Sequence, residues 1–251
     1  TVGGSGTYTV GVADTVKSLD NNGTVDINAA TTVQDAFTNN GTINQAENLT
    51  VSNALTNNGT LKVTATSSAD VDTLVGTGTV DIATGETLTL NQSGTSTYSG
   101  TIEGDGGFTK AGAGELTLSG GSAANTYNGD TSINAGTLVF DRTAGTDAVS
   151  GVVNLNSGGI LQLGANNQIV DTAQVNFDGG TFDTAGFNEG DDSTSGIGTL
   201  NLMSNSTIDF SGTADILRFT DDAFTAGNTL TIENWSGDPV NGGGAGGFDR
   251  F

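Results

Sequence analysis

Residues 19–27 read LDNNGTVDI, residues 37–45 FTNNGTINQ and residues 55–63 LTNNGTLKV, so one nine-residue phrase returns at intervals of 18 and 18. A fourth copy, Leu74 to Val80 with Gly78-Thr79, follows after 19. Asn-Gly pairs accept positive φ and turn tightly at low steric cost, whereas the flanking Val, Ile and Thr prefer the extended state. Each unit is therefore predicted to be strand, turn, strand. A step near 20 residues is too short for a sandwich that pairs distant strands, but it suits one coil of a solenoid whose neighbouring units stack.

The module Gly-Thr-apolar-x-apolar outlasts the exact period, as GTVDI at 78–82, GELTL at 114–118, GTLVF at 136–140, GILQL at 159–163 and GTLNL at 198–202. Period-two alternation sends both apolar residues of a module to one face. Stacking then places Val25, Ile43, Leu61 and Val80 in an internal apolar column, with Asn22, Asn40 and Asn58 as an amide ladder at the turns. The expected fold is an all-β parallel β-helix, a β-solenoid of about 12 coils at roughly 20 residues each. Of the 11 Phe only Phe37 precedes residue 100. Larger side chains need a wider cross-section, so narrow coils of about 18 residues are expected over 1–100 and wider coils over 101–236. Residues 237–251 form a Gly-rich C-terminal tail.

Composition removes several function classes. The 251 residues include 40 Gly, 41 Thr and 25 Asn, one Pro, no Cys and no His. Disulfide frameworks, thiolate or imidazole metal sites and any nucleophile–His pair lack their atoms. Helix is disfavoured as the main element because Gly interrupts nearly every window of ten. A single Pro suits continuous ladders, since each Pro deletes a donor. Six Lys and Arg against 28 Asp and Glu give a net charge of −22. That charge opposes nucleic acid and anionic lipid, and no apolar span suggests membrane insertion.

Residues 106–138, GGFTKAGAGELTLSGGSAANTYNGDTSINAGTL, closely resemble the autotransporter-associated β-strand repeat of bacterial passenger domains and large surface proteins. The matching positions include Phe108-Thr109-Lys110, Gly112, Gly114, Leu116 to Gly120, Asn125-Thr126-Tyr127, Gly129, Thr131, Ile133 and Ala135 to Leu138. Residues 229–239, TLTIENWSGDP, also look like the C-terminal segment of secreted proteins carrying this repeat. The resemblance implies a right-handed β-helix, exported to the bacterial cell surface or beyond, with structural or adhesive roles and no catalytic residues to carry over. Neither a β-barrel translocator nor a hydrophobic sorting tail after Phe251 is present, which predicts a processed product or another export route.

Candidate chemistry is sparse. Glu189, Asp191 and Asp192, which fall in a predicted loop, are the leading Ca²⁺ candidate beside Asp221-Asp222 and Asp70 with Asp72, but that ion wants six to eight oxygens, and neither an EF-hand spacing nor a calcium-binding nonapeptide repeat occurs. A solvated acidic loop is the default, and no other cofactor is expected. Among 28 acids, pairs at glycosidase separation must arise by chance. Arg218, between Asp215 and Asp221-Asp222, is the best candidate for a lyase-type base, against its plainer use as a neutralising cation. Tyr8, Tyr98, Tyr127 and Trp235 share no common phase, so core packing is favoured over a sugar-stacking platform.

A solenoid has two open edges that recruit other strands unless capped. No amphipathic cap is legible at either end, where Tyr8, Val10, Phe248 and Phe251 would meet a neighbour. The first functional expectation is a non-enzymatic extracellular structural protein that associates with itself end to end into a filament. The alternative is a monomeric adhesin passenger that binds a surface glycan or host protein, and a carbohydrate-active β-helix enzyme comes third.

Overall fold

The computed structural model describes residues 1–64, 69–190, 196–211 and 215–236. Twenty-six strands and no helix occur among them, and every strand pair is parallel. They stack as a β-solenoid of about 11 turns. The longest sheet path holds eleven strands, from Asp14–Val16 to Phe219–Phe224, one coil fewer than the length arithmetic gave. The reason lies in the register. Along this first face the step from coil to coil is 17 residues at Asp14↔Thr31 and 18 at Thr31↔Leu49, but 23 at Phe108↔Thr131 and 25 at Val175↔Leu200.

Each early coil has three sides. After Asp14–Val16 on the first face, Leu19–Asn21 lies on the second and Thr24–Ile27 on the third. The second face continues through the bridge Gly76↔Tyr98 into the seven-stranded sheet from Thr95–Tyr98 to Leu230–Glu233. The third face is a sheet only from Thr7–Val10 to Thr101–Gly104. Beyond it, that side is carried by isolated bridges, Val149↔Ile169 and Glu189↔Leu217. The extra residues of the later coils lie at the corner from second to third face, where Asn21 and Val25 are four apart but the corresponding Leu118 and Asn125 are seven apart.

The core runs the length of the stack. Tyr8, Val25, Ile43, Leu61, Val80 and Ile102 follow one another in register on the third face, and from Val25 onward all are fully buried. In the later coils Phe108, Phe140, Phe177, Phe182 and Phe210 fill the interior. Phe177 packs on Phe182 at 6.5 Å and on Phe219 at 6.3 Å between ring centroids, geometry that adds to the area buried.

The repeated glycines act differently from the turn reading. Gly23, Gly41 and Gly59 are not in the positive-φ region. A Cβ at Gly41 would instead come within 3.0 Å of the Gly23 carbonyl oxygen, and one at Gly59 would meet Gly41 in the same way. Close approach of stacked backbones, not turn geometry, requires glycine here.

Candidate functional site

An outward column on the first face runs in register through Thr15, Thr32, Thr50, Asp70, Thr89, Thr109, Ser132, Asn154, Asn176 and Asn201. Successive strands lie about 4.7–4.9 Å apart, so this is a flat array of hydroxyls and amides at a fixed pitch. In the later coils its members are tied together. Asn176 Nδ2 donates to Asn154 Oδ1 at 2.7 Å and Asn201 Nδ2 to Asn176 Oδ1 at 3.1 Å, and two residues further along, Asn156 Nδ2 donates to Asn134 Oδ1 at 2.6 Å. Cross-strand amide contacts of this kind fix side-chain orientation before any ligand arrives.

The corner from second to third face holds a second polar ladder, this one inside. Asn21 Nδ2 donates to Asn39 Oδ1 at 2.8 Å, Asn39 Nδ2 to Asn57 Oδ1 at 2.7 Å, and Asn57 Nδ2 to the Tyr98 hydroxyl at 3.1 Å. The same amides also donate to the carbonyls of Thr42, Thr60 and Thr79. Tyr98 donates in turn to the Gly78 carbonyl at 2.8 Å, and burial pushes its hydroxyl up to about 12. Tight corners aim backbone carbonyls inward, and buried acceptors need partners.

In the wider coils longer side chains reach across the larger corner. The buried Arg142 guanidinium donates to the Gly100 carbonyl and to Asn125 Oδ1, both at 2.6 Å. At the corner from first to second face, buried Lys110 donates to the Ala111, Gly112 and Ala135 carbonyls at 3.0, 2.8 and 3.3 Å, and desolvation lowers its ammonium to about 8. Gln168 Oε1 accepts from the Arg142 amide at 2.7 Å, and one coil later Glu189 Oε2 accepts from the Gln168 amide at 2.7 Å.

Glu189 is thus an interior residue, 1% exposed, and not part of a solvated loop. Burial pushes its carboxyl up to about 8, partly opposed by the amides of Gln168 and Ile169, with Asp147 and Asp171 adding like charge. Asp191 and Asp192 lie outside the described residues. Among the described residues no group of three or more Asp or Glu is placed to hold a metal ion.

The remaining sequence candidates separate. Asn40 donates to Asn22 and Asn58 to Asn40, each at 3.1 Å, forming an exposed ladder beside the buried one. Sequence reading overlooked the inner ladder, although Asn21 shares the parity of the buried Leu19 and Val25, and that parity was the signal. Tyr8 is half-buried with its hydroxyl donating to Asp14 at 3.3 Å, and Val10 is core. Phe248 and Phe251 lie outside the described residues. Tyr98 and Tyr127 are fully buried, and Trp235 stacks on Phe210 at 6.3 Å. Arg218 is exposed, whereas Asp215 is buried and accepts from the Thr184 hydroxyl at 2.5 Å.

Among the described residues no helix is long and apolar enough to cross a membrane. The family described as passenger-associated-transport-repeat matches residues 108–140. These residues begin where the third face stops being a sheet and the coil step lengthens to 23. An adhesin, BmaC autotransporter of Brucella suis biovar 1 (strain 1330), is 41% identical over 85 residues, 34% of this chain and 2% of that protein. The chain therefore spans about a fiftieth of that relative's length. No solved structure matches. Parts of two successive coils of this solenoid thus match a passenger repeat, in a chain similar over a third of its length to an autotransporter adhesin.

Proposed function

We propose that this chain is part of an autotransporter-type passenger, a non-enzymatic rod displayed at the bacterial surface whose lateral faces carry adhesion. The observation that supports this most is the placement of the passenger repeat at 108–140 inside an unbroken first face, whose outward side is a pitch-regular array of hydroxyls and amides. Such a surface has fixed geometry, and repeated weak contacts along it add as avidity. The net charge of −22 keeps rods apart and directs the interaction toward neutral or cationic surfaces. Beads coated with the purified chain are expected to adhere to cultured host cells above beads coated with an inert protein of equal charge, without turnover of any polysaccharide. Equal retention of the two bead sets overturns the reading.

End-to-end association into a filament is the second reading. It is favoured by the last described coil, where Phe224 is 56% exposed on strand Phe219–Phe224. A 17-residue first step facing a 22-residue last one along the first face makes that junction a poor match of cross-sections. Sedimentation across salt concentrations separates the two readings, since a filament former sediments as a growing polymer and an adhesin rod as one species.

A further inference from the structure

Over the last four coils the corner between first and second face widens. Two residues connect Val153–Asn156 to Gly159–Leu163 and Val175–Asp178 to Thr181–Asp183. Three connect Ile197–Leu202 to Ser206–Asp209, and five connect Phe219–Phe224 to Leu230–Glu233. The short turns depend on Gly158 and Gly179 at φ of 90° and 95°. Where the longer turns stack on these short ones lies an open groove of about 610 Å³, within the range of small-ligand sites. Its lining comes from four successive coils, about 14 Å along the stack at strand spacing.

The lining is polar, and each side chain is half committed. Asn156 donates its amide to Asn134 and keeps Oδ1 without a protein partner. Asp178 accepts from the Ser204 hydroxyl at 2.5 Å through one oxygen and keeps the other. Asn205 accepts from the Thr229 amide at 2.8 Å and keeps its NH₂, and Asn228 donates to the Met203 carbonyl at 2.6 Å and keeps its Oδ1. Ser157, at the rim, is exposed and adds a hydroxyl. The fold therefore holds these groups in place while leaving acceptors on Asn156, Asp178 and Asn228 and the NH₂ donor of Asn205 available, which lowers the entropy lost on binding.

We propose that this groove binds a linear neutral oligosaccharide lying along the rod. Vicinal hydroxyls are each donor and acceptor and so match a mixed set of amide, hydroxyl and single carboxylate groups, the carboxylate giving the strongest bond. With one carboxylate and no cation in the lining, uronates and sulfated chains are repelled. No aromatic ring lines the groove, so single-site affinity is weak and display in many copies supplies the strength.

The proposal rests on the adhesin reading and is tested apart from it. The full 251-residue chain is applied to immobilised neutral oligosaccharides from mannan, galactan, xylan and N-acetylglucosamine polymers, with polygalacturonate and heparin alongside. Binding to at least one neutral chain is expected, falling tenfold or more in Asn156→Ala/Asn228→Ala and in Ser157→Arg, which fills the groove from the exposed rim. Both variants are checked for an unchanged circular dichroism spectrum and urea midpoint. Absence of neutral binding, binding to the anionic chains alone, abolition by a calcium chelator, or affinity unchanged in both variants overturns the proposal. If bead adhesion to cells persists in the variants at wild-type level, the groove assignment falls and the adhesin reading stands. If glycan binding survives but beads do not adhere, the reverse holds.

Discussion

Two asparagines adjacent in sequence, Asn39 and Asn40, occupy different media. Asn39 is fully buried and bonded on both sides, to Asn21 and Asn57, whereas Asn40 makes its ladder in solvent. Asn39→Ala leaves a buried donor on Asn21 and a buried acceptor on Asn57 unpaired and opens a small cavity. A loss of about 2–4 kcal/mol is expected. Asn40→Ala removes one exposed contact per side, worth below about 1 kcal/mol. Urea denaturation of the two variants reads this directly, and equal midpoints would show that the inner ladder does not stabilise the coil. The distinction was legible in principle, since alternation from Val25 back through Gly23 reaches Asn21. Turn preference alone favoured neither asparagine. Gly41, which follows them, serves close approach and not a turn, because sequence carries turn propensity openly but shows close backbone approach only once stacking is known.

At the scale of the element, the corner from second to third face distinguishes the two kinds of coil. Short Asn-Asn-Gly corners close on amides, while long ones recruit Arg142, Gln168 and Glu189. The exact 18-residue period made the first kind readable. The second kind keeps no fixed spacing, so nothing in the sequence marked Glu189 as interior, and its acidic neighbours suggested a loop. Its carboxyl sits near 8, above the ordinary 4.5, chiefly through burial. The protonated form is therefore favoured by the fold. Stability from this group is complete below about pH 4.5 and is lost as pH rises through 8, on the order of 4 kcal/mol in all. Gln168 already performs the same task as a neutral amide one coil earlier, accepting from the backbone of the coil before. Glu189→Gln is thus expected to raise the urea midpoint at pH 8.5 and to match the wild type at pH 4. A variant as pH-sensitive as the wild type over that interval would place the proton elsewhere, with Asp147 and Asp171 the nearest other acids.

For the whole molecule, one feature governs the rest, the in-register stacking of coils along an unbroken first face. It explains the Gly and Thr content, the single Pro, and the conversion of an 18-residue repeat into surface columns. The absence of Cys makes the claim directly measurable, because any pair of introduced cysteines can be spin-labelled alone. Thr32, Thr89, Asn154 and Asn201 lie in one outward column, with Thr89 three coils, Asn154 six coils and Asn201 eight coils from Thr32. Pulsed dipolar spectroscopy on Thr32→Cys paired with each of the other three in turn is expected to give separations near about 14, 29 and 38 Å, rising linearly at about 4.8 Å per coil. Distances that plateau or fail to order by coil number would contradict the stacked solenoid and the surface columns built on it.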